Sequence, residues 1–156
     1  MKNIFILLLL VNNYYNNCGQ VNPKFSITIW DTNSSLGYTI VYHINDDSLK
    51  VNRNSGFEDD KNRILLQRKL TENESKTFSK FLSSFPIDSL KSKYNADNTK
   101  ITVMDGDQKS VQLQFNNKIK TIDIYNYYQK DLDGLFQVIN KYIPDKGLKI
   151  EFDVAH

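Results

Sequence analysis

At 156 residues, with 40% hydrophobic and 24% charged residues, the chain has the composition of one ordinary globular domain that needs neither disulfides nor metals to build its core. Its net charge of +2 is dispersed, and only Arg53, Arg63 and Arg68 among its 20 basic residues are arginine. A nucleic-acid partner, which calls for a concentrated basic face, is therefore not expected.

Lys2 precedes an unbroken apolar run from Ile4 to Val11. A basic start followed by about 7–15 apolar residues is the layout of an export signal, and the run falls short of the roughly 20 residues that span a bilayer. The only cysteine, Cys18, sits just past it, where bacterial lipoproteins carry the residue that is acylated after cleavage. Asn16 and Asn17 stand where such signals place small residues. Three outcomes stay open: lipidation at Cys18, cleavage near Gly19 without lipid, or a retained apolar N-terminus with an incidental thiol. Residues 1–19 are read as the leader and 20–156 as a single domain, with membrane contact only through the leader or its lipid. One cysteine excludes an internal disulfide.

Beyond Pro23 the period changes to that of strands. Phe25, Ile27 and Ile29 share one face of the first, which ends at Trp30. Leu36, Tyr38, Ile40, Tyr42 and Ile44 share a face of the second, Leu49 and Val51 mark a short third, and Ile64, Leu66, Arg68 and Leu70 align on a fourth with Leu65 opposite. Polar turn clusters at Asp31–Ser35 and Asn45–Asp47, and an exposed acidic loop from Asn52 to Asn62, predict an antiparallel meander with one face packed and one wet.

Thr71-Glu72-Asn73-Glu74 is a capping box, and the helix it opens carries Phe78, Phe81, Leu82 and Phe85 at i, i+3, i+4, i+7. Pro86 ends it, with a short turn at Ile87–Tyr94 that tucks Leu90 inward. Ile101 and Val103 predict a fifth strand, and Asp105-Gly106-Asp107 a hairpin turn. Val111 to Phe115 alternates, and a return strand follows through Ile122 and Ile124. With Asn117-Lys118 as the two-residue loop, Val111 faces Ile124 and Leu113 faces Ile122. A second helix bears Leu132, Leu135, Phe136, Ile139, Tyr142 and Ile143 in one stripe before Pro144. Leu148, Ile150, Phe152 and Val154 alternate as a terminal strand closing the sheet. The expected fold is α+β: one antiparallel sheet of about six to eight strands with two amphipathic helices on one face.

Catalytic parts are sparse. The two histidines, His43 and His156, do not cluster with other ligands, so no metal site and no cofactor are expected. A triad would have to use His43, read as a surface or satisfied core residue. Asp105 and Asp107 lack the further acidic ligands and closing Glu of a calcium loop. Glu58, Asp59 and Asp60 supply paired carboxylates on a loop that looks solvated. Tyr125, Tyr127 and Tyr128, at a strand-to-helix junction, are the candidate binding residues: they can stack on sugar rings, anchor a protein, or cover the end of the core.

Phe85-Pro86-Ile87-Asp88-Ser89-Leu90, Asp105-Gly106-Asp107-Gln108-Lys109, Asn116-Asn117-Lys118 and Asn126-Tyr127-Tyr128-Gln129-Lys130-Asp131-Leu132 together resemble small exported proteins and lipoproteins of uncharacterised function from Bacteroidetes-type bacteria. The resemblance implies an export signal and a small α+β domain, and brings no catalytic residues. The leading expectation is a non-enzymatic, envelope-associated module that binds a protein or glycan. The alternatives are a small carboxylate-dependent hydrolase and an inhibitor or immunity-type protein.

Overall fold

Phe25, Ile27 and Ile29 alternate with Ser26, Thr28 and Trp30, and this strand lies at the centre of the sheet. The computed structural model describes residues 24–33, 37–55, 62–95 and 107–152. Among them run β1 (Phe25–Asn33), β2 (Tyr38–Asn45), β3 (Ser48–Ser55), β4 (Asn62–Lys69), β5 (Lys93–Asn95), β6 (Asp107–Phe115) and β7 (Lys118–Tyr125), with α1 (Glu72–Ser84) between β4 and β5 and α2 (Lys130–Asn140) after β7. The seven strands form one sheet in the order β4-β3-β2-β1-β6-β7-β5. The first four make the expected antiparallel meander, and the fold is α+β.

The odd residues of β1 and their neighbours build a single core. Phe25, Ile27, Ile29, Tyr42, Ile44, Leu49, Val51, Val111, Leu113, Ile122 and Ile124 pack in one cluster with Phe78 and Leu82 of α1 and Leu132, Leu135, Phe136 and Ile139 of α2. Both helices therefore cover the same side of the sheet. Each fully buried aliphatic or aromatic side chain contributes about 1.5–3 kcal/mol relative to exposure, which the ordering entropy offsets in large part. Phe78 reaches across to Phe25 and Tyr142, with ring centroids 5.5 and 5.2 Å apart. Phe81 and Phe85, expected on the same buried stripe, lie only half inside and pack on each other at 5.4 Å.

Local chemistry sets the ends of α1. Thr71 accepts from the Glu74 amide while Glu74 accepts from the Thr71 amide, as the capping box predicts. Arg68 of β4 then grips both Glu74 carboxylate oxygens at 3.0 Å. Those bonds, Arg68 first and the Thr71 amide next, hold the Glu74 carboxyl down from 4.5 to about 2.

Five expectations need correction. The β6–β7 loop is Asn116-Asn117, not Asn117-Lys118: Phe115 pairs with Lys118, and Val111 faces Ile122. Both asparagines have positive φ, 49° and 65°, as a type I′ turn demands, and Lys118 would tolerate that backbone less well. The two-residue shift keeps the apolar face but sets Leu113 against Lys120. In β4 a bulge opposite Val51 and Asn52 puts Ile64 across from Asn52 and Leu66 across from Val51. Ile64 therefore leaves the packed face and stands 53% exposed.

The sheet is also not wholly antiparallel, because β5, which begins inside the turn expected at Ile87–Tyr94, runs parallel to β7. Finally, Leu148, Ile150 and Phe152 form no ladder. Leu148 closes a 3-10 turn from Lys146 and the chain extends only from Lys149, where its partners are side chains: Tyr42 Oη donates to the Leu148 carbonyl at 3.1 Å, and the Asn140 amide both donates to and accepts from the Ile150 backbone at 2.8 and 2.9 Å. Strand β3 runs on to Ser55, so the predicted acidic loop is shorter at its start. The predicted fifth strand at Ile101 and Val103, the turn residues Asp105 and Gly106, and Val154 lie outside the described residues.

One charged pair interrupts the packed face. Lys109 of β6 sits directly opposite Asp31 of β1 and donates to it at 2.8 Å, with its side chain only 3% exposed and that of Asp31 23%. Burial, then the Asp31 charge, then Tyr38 push the hydroxyl of neighbouring Tyr42 well above its ordinary range. Breaking a buried pair costs more than replacing it: Lys109→Ala should cost about 3 kcal/mol in chemical denaturation, whereas the double change Asp31→Leu with Lys109→Met should come out near neutral or stabilising. Equal losses in the single and double variants would show that the charges do not act as a pair.

Candidate functional site

Since α1 and α2 occupy one side, no helix among the described residues lies over the other side of the sheet. Its residues alternate with the core positions along each strand: Ser26, Thr28, Trp30 and Thr32 on β1, Thr39, Val41 and His43 on β2, Gln112 and Gln114 on β6, and Thr121 and Asp123 on β7. Most are neutral hydroxyls and amides. Trp30, the only tryptophan of the chain, is half-buried near the middle, between Val41 and Ser110 in the register. Val41 is 2% exposed yet stands apart from the core cluster.

Side chains bond one another along this face. Thr32 meets Thr39 at 3.1 Å and Ser110 donates to Asp123 at 2.8 Å. Thr28 meets His43 Nδ1 at 3.3 Å. His43 itself is an exposed residue; partial burial and then Lys50 opposite it lower the imidazole pKa. On β3, the side-chain carbonyl oxygens of Asn52 and Asn54 are buried without a donor, a cost of about 1–3 kcal/mol for each such acceptor. The exposed large apolar residues Ile64, Ile119 and Tyr125 belong to separate strands and different positions along them. The described part of the face is thus a polar sheet surface holding one indole, with no continuous greasy patch.

The three candidate tyrosines are all exposed, at 38, 39 and 42% for Tyr125, Tyr127 and Tyr128, and they part company. Tyr125 ends β7 on the uncovered side, with Lys93 Nζ 5.2 Å from its ring centre. Tyr127 stacks on Tyr94 of the β5 edge at 5.5 Å. Tyr128 turns to the helix side: its ring meets Phe152 edge-on at 5.4 Å and its hydroxyl donates to Asp133 at 3.2 Å. Positive φ at Asn126 makes the turn that separates their directions. They form no single aromatic cluster.

Tyr128 lines a concave site among the described residues. Between α2 and the C-terminal segment lies a cleft of about 350 Å³ bordered by Tyr128, Asp133, Gln137, Asn140, Glu151 and Phe152, with Ile150 beneath. The helix supplies its wall through spacing alone, since Asp133, Gln137 and Asn140 at i, i+4 and i+7 share one stripe beside the buried one. Gln137 Nε2 donates to the Asp133 carboxylate at 2.8 Å, so that carboxylate is held between an amide and a phenol. Partial burial and then Asp133 raise the Tyr128 hydroxyl pKa. None of Asp133, Gln137, Glu151 or Phe152 stood out in the sequence. The polar i, i+4, i+7 stripe was visible there, but the partner segment that makes it a cleft was not.

Two further clefts are shallower in chemistry. One of about 370 Å³ lies under the end of α1, with Leu82, Phe85, Ile87 and Phe115 below and the exposed Asp88–Lys118 pair at its mouth. Another, of about 280 Å³, lies above Asp31 and Lys109 beside Lys146 and Lys149. Among the described residues, no three His, Cys, Asp or Glu side chains gather where a metal ion could be held. Cys18, Glu58, Asp59, Asp60 and His156 lie outside the described residues. No family model, no curated protein and no solved structure matches the chain.

The Asn140 bridge is what keeps the cleft's far wall in place. Asn140→Ala leaves the Ile150 N–H and C=O without their partners and should lower stability by about 2–4 kcal/mol. Hydrogen exchange checks it: the Ile150 amide should lose protection ahead of the sheet. Unchanged protection at Ile150 would mean that apolar packing alone seats the segment.

Proposed function

We propose that the protein is an exported, envelope-associated module that binds a protein or glycan partner without transforming it. The observation that supports this reading is the sheet's asymmetry among the described residues: α1 and α2 pack on one face of the seven strands, and the other presents mainly hydroxyls, amides and Trp30. Such a face suits recognition, because neutral polar groups lose little on exchanging water for a partner while an indole supplies area and a π-face. It also lacks the concentrated cations that nucleic acid would require.

The leader supports the location. Lys2 and the Ile4–Val11 run direct export, and Cys18 offers an acylation point that would keep the domain at the envelope. The resemblance to small exported proteins and lipoproteins points the same way.

A sole tryptophan on the proposed face makes the test direct. Envelope material separated into polysaccharide and protein fractions should, in one fraction, shift and saturate the Trp30 emission, and Trp30→Ala should weaken capture of that fraction at least tenfold. Saturable capture by either fraction with Trp30 emission unmoved, and with Trp30→Ala binding as the parent does, would contradict this use of the face.

A further inference from the structure

The geometry points to a second, independent site: the cleft at Tyr128, on the helix side of the sheet, binds one neutral pyranose unit of a carbohydrate. It does not rest on the role given to the uncovered face, and the two sites lie on opposite sides of the strands.

The cleft's chemistry is one-directional. Asp133 and Glu151 are carboxylates, and among the described residues no cationic side chain lines the site. Asn140 spends both ends of its amide on the Ile150 backbone. Gln137 gives one Nε2–H to Asp133 and keeps its second N–H and its carbonyl oxygen, and Tyr128 gives its O–H to the same carboxylate. Beyond the remaining amide N–H groups of Gln137 and Asn140, the side chains left to meet a ligand are mostly hydrogen-bond acceptors with a surplus of negative charge. A phosphate, a carboxylate or an acidic sugar is repelled. A ligand rich in hydroxyl donors is matched, since each hydroxyl can give its hydrogen to Asp133, Glu151 or Gln137 and charged acceptors make the stronger bonds.

The remaining wall is aromatic. Tyr128 is 42% exposed, with Phe152 against its edge and Phe136 packed 5.1 Å behind Phe152. An apolar ring beside a row of acceptors fits a pyranose, whose C–H face is apolar and whose rim carries hydroxyls. A bare ammonium would use the carboxylates but leave most of this aromatic wall and the roughly 350 Å³ of space unused. The acceptors are also arranged before any ligand arrives, because Asp133 is fixed by two donors and Glu151 follows the segment that Asn140 clamps. Preorganisation of this kind reduces the cost of ordering on binding.

The test uses the purified protein, titrated by calorimetry or NMR with the methyl glycosides of glucose, galactose, mannose and N-acetylglucosamine, and with methylamine as the competing chemistry. At least one glycoside should bind with a Kd on the order of 1 mM. Tyr128→Ala and Asp133→Asn should each weaken it about tenfold or more, and Gln137→Ala about fivefold. Trp30→Ala should leave it unchanged. Gln137→Ala and Glu151→Gln alter exposed side chains, so they report on the site even where Tyr128→Ala disturbs folding. The inference is overturned if no glycoside binds at about 20 mM, if binding survives both Asp133→Asn and Gln137→Ala, or if methylamine binds in the cleft and no glycoside does.

Discussion

A single ladder joins the two halves of this chain. β1 pairs with β6 over its whole length, from Phe25 against Phe115 to Asn33 against Asp107. On one side of that seam lies the β1–β4 meander with α1 following it, and on the other the β6–β7 hairpin with α2. No other strand pairing crosses it. Its partners stand some eighty residues apart in sequence, so loop closure must be met before its contacts form. Side chains along it explain why it holds. Phe25, Ile27 and Ile29 face Phe115, Leu113 and Val111, all nearly inaccessible, and the ladder's far end is fastened by Asp31 and Lys109.

From the seam follows the one-sidedness of the described fold. Each half contributes one helix, and both fall on the face bearing the odd residues of β1, because only that face is apolar on both sides of the ladder. The opposite face is left to hydroxyls, amides and Trp30. At the end of the core where neither helix reaches, the chain's last described segment completes the cover. Tyr42 and Asn140 take the place of a neighbouring strand for Leu148 and Ile150, and Phe152 lies against Phe136. The cleft at Tyr128 is a by-product of that arrangement, formed where the segment passes beside α2.

Much of this architecture was legible in the sequence. Period-two alternation around Ile27, Tyr42 and Val111, together with the capping box at Thr71, located the elements, because each of those signals is local. What failed was register and partner choice. Asn116-Asn117 won the turn over Asn117-Lys118 through backbone conformation, which apolar alternation does not weigh. The bulge beside Leu65 turned Ile64 outward, and no residue type there announces it. Leu148–Phe152 has the alternation of a strand, but alternation says only that a segment is extended, not who bonds to it. The site was less legible still: Tyr125, Tyr127 and Tyr128 were singled out as one group, and a single φ at Asn126 helps to send them three ways. Asp133 and Gln137 gain meaning only from Glu151 and Phe152, which reach them through tertiary packing.

Native-state hydrogen exchange, residue by residue, tests the seam most directly. If β1–β6 pairing is what makes one domain of two halves, the central amides of β1, β2 and β6 should exchange together, at the slowest rate in the molecule and only through global unfolding. Exchange of β1 through a cheaper opening that leaves the β6–β7 hairpin and α2 protected would mean the halves stand separately, and would contradict the account.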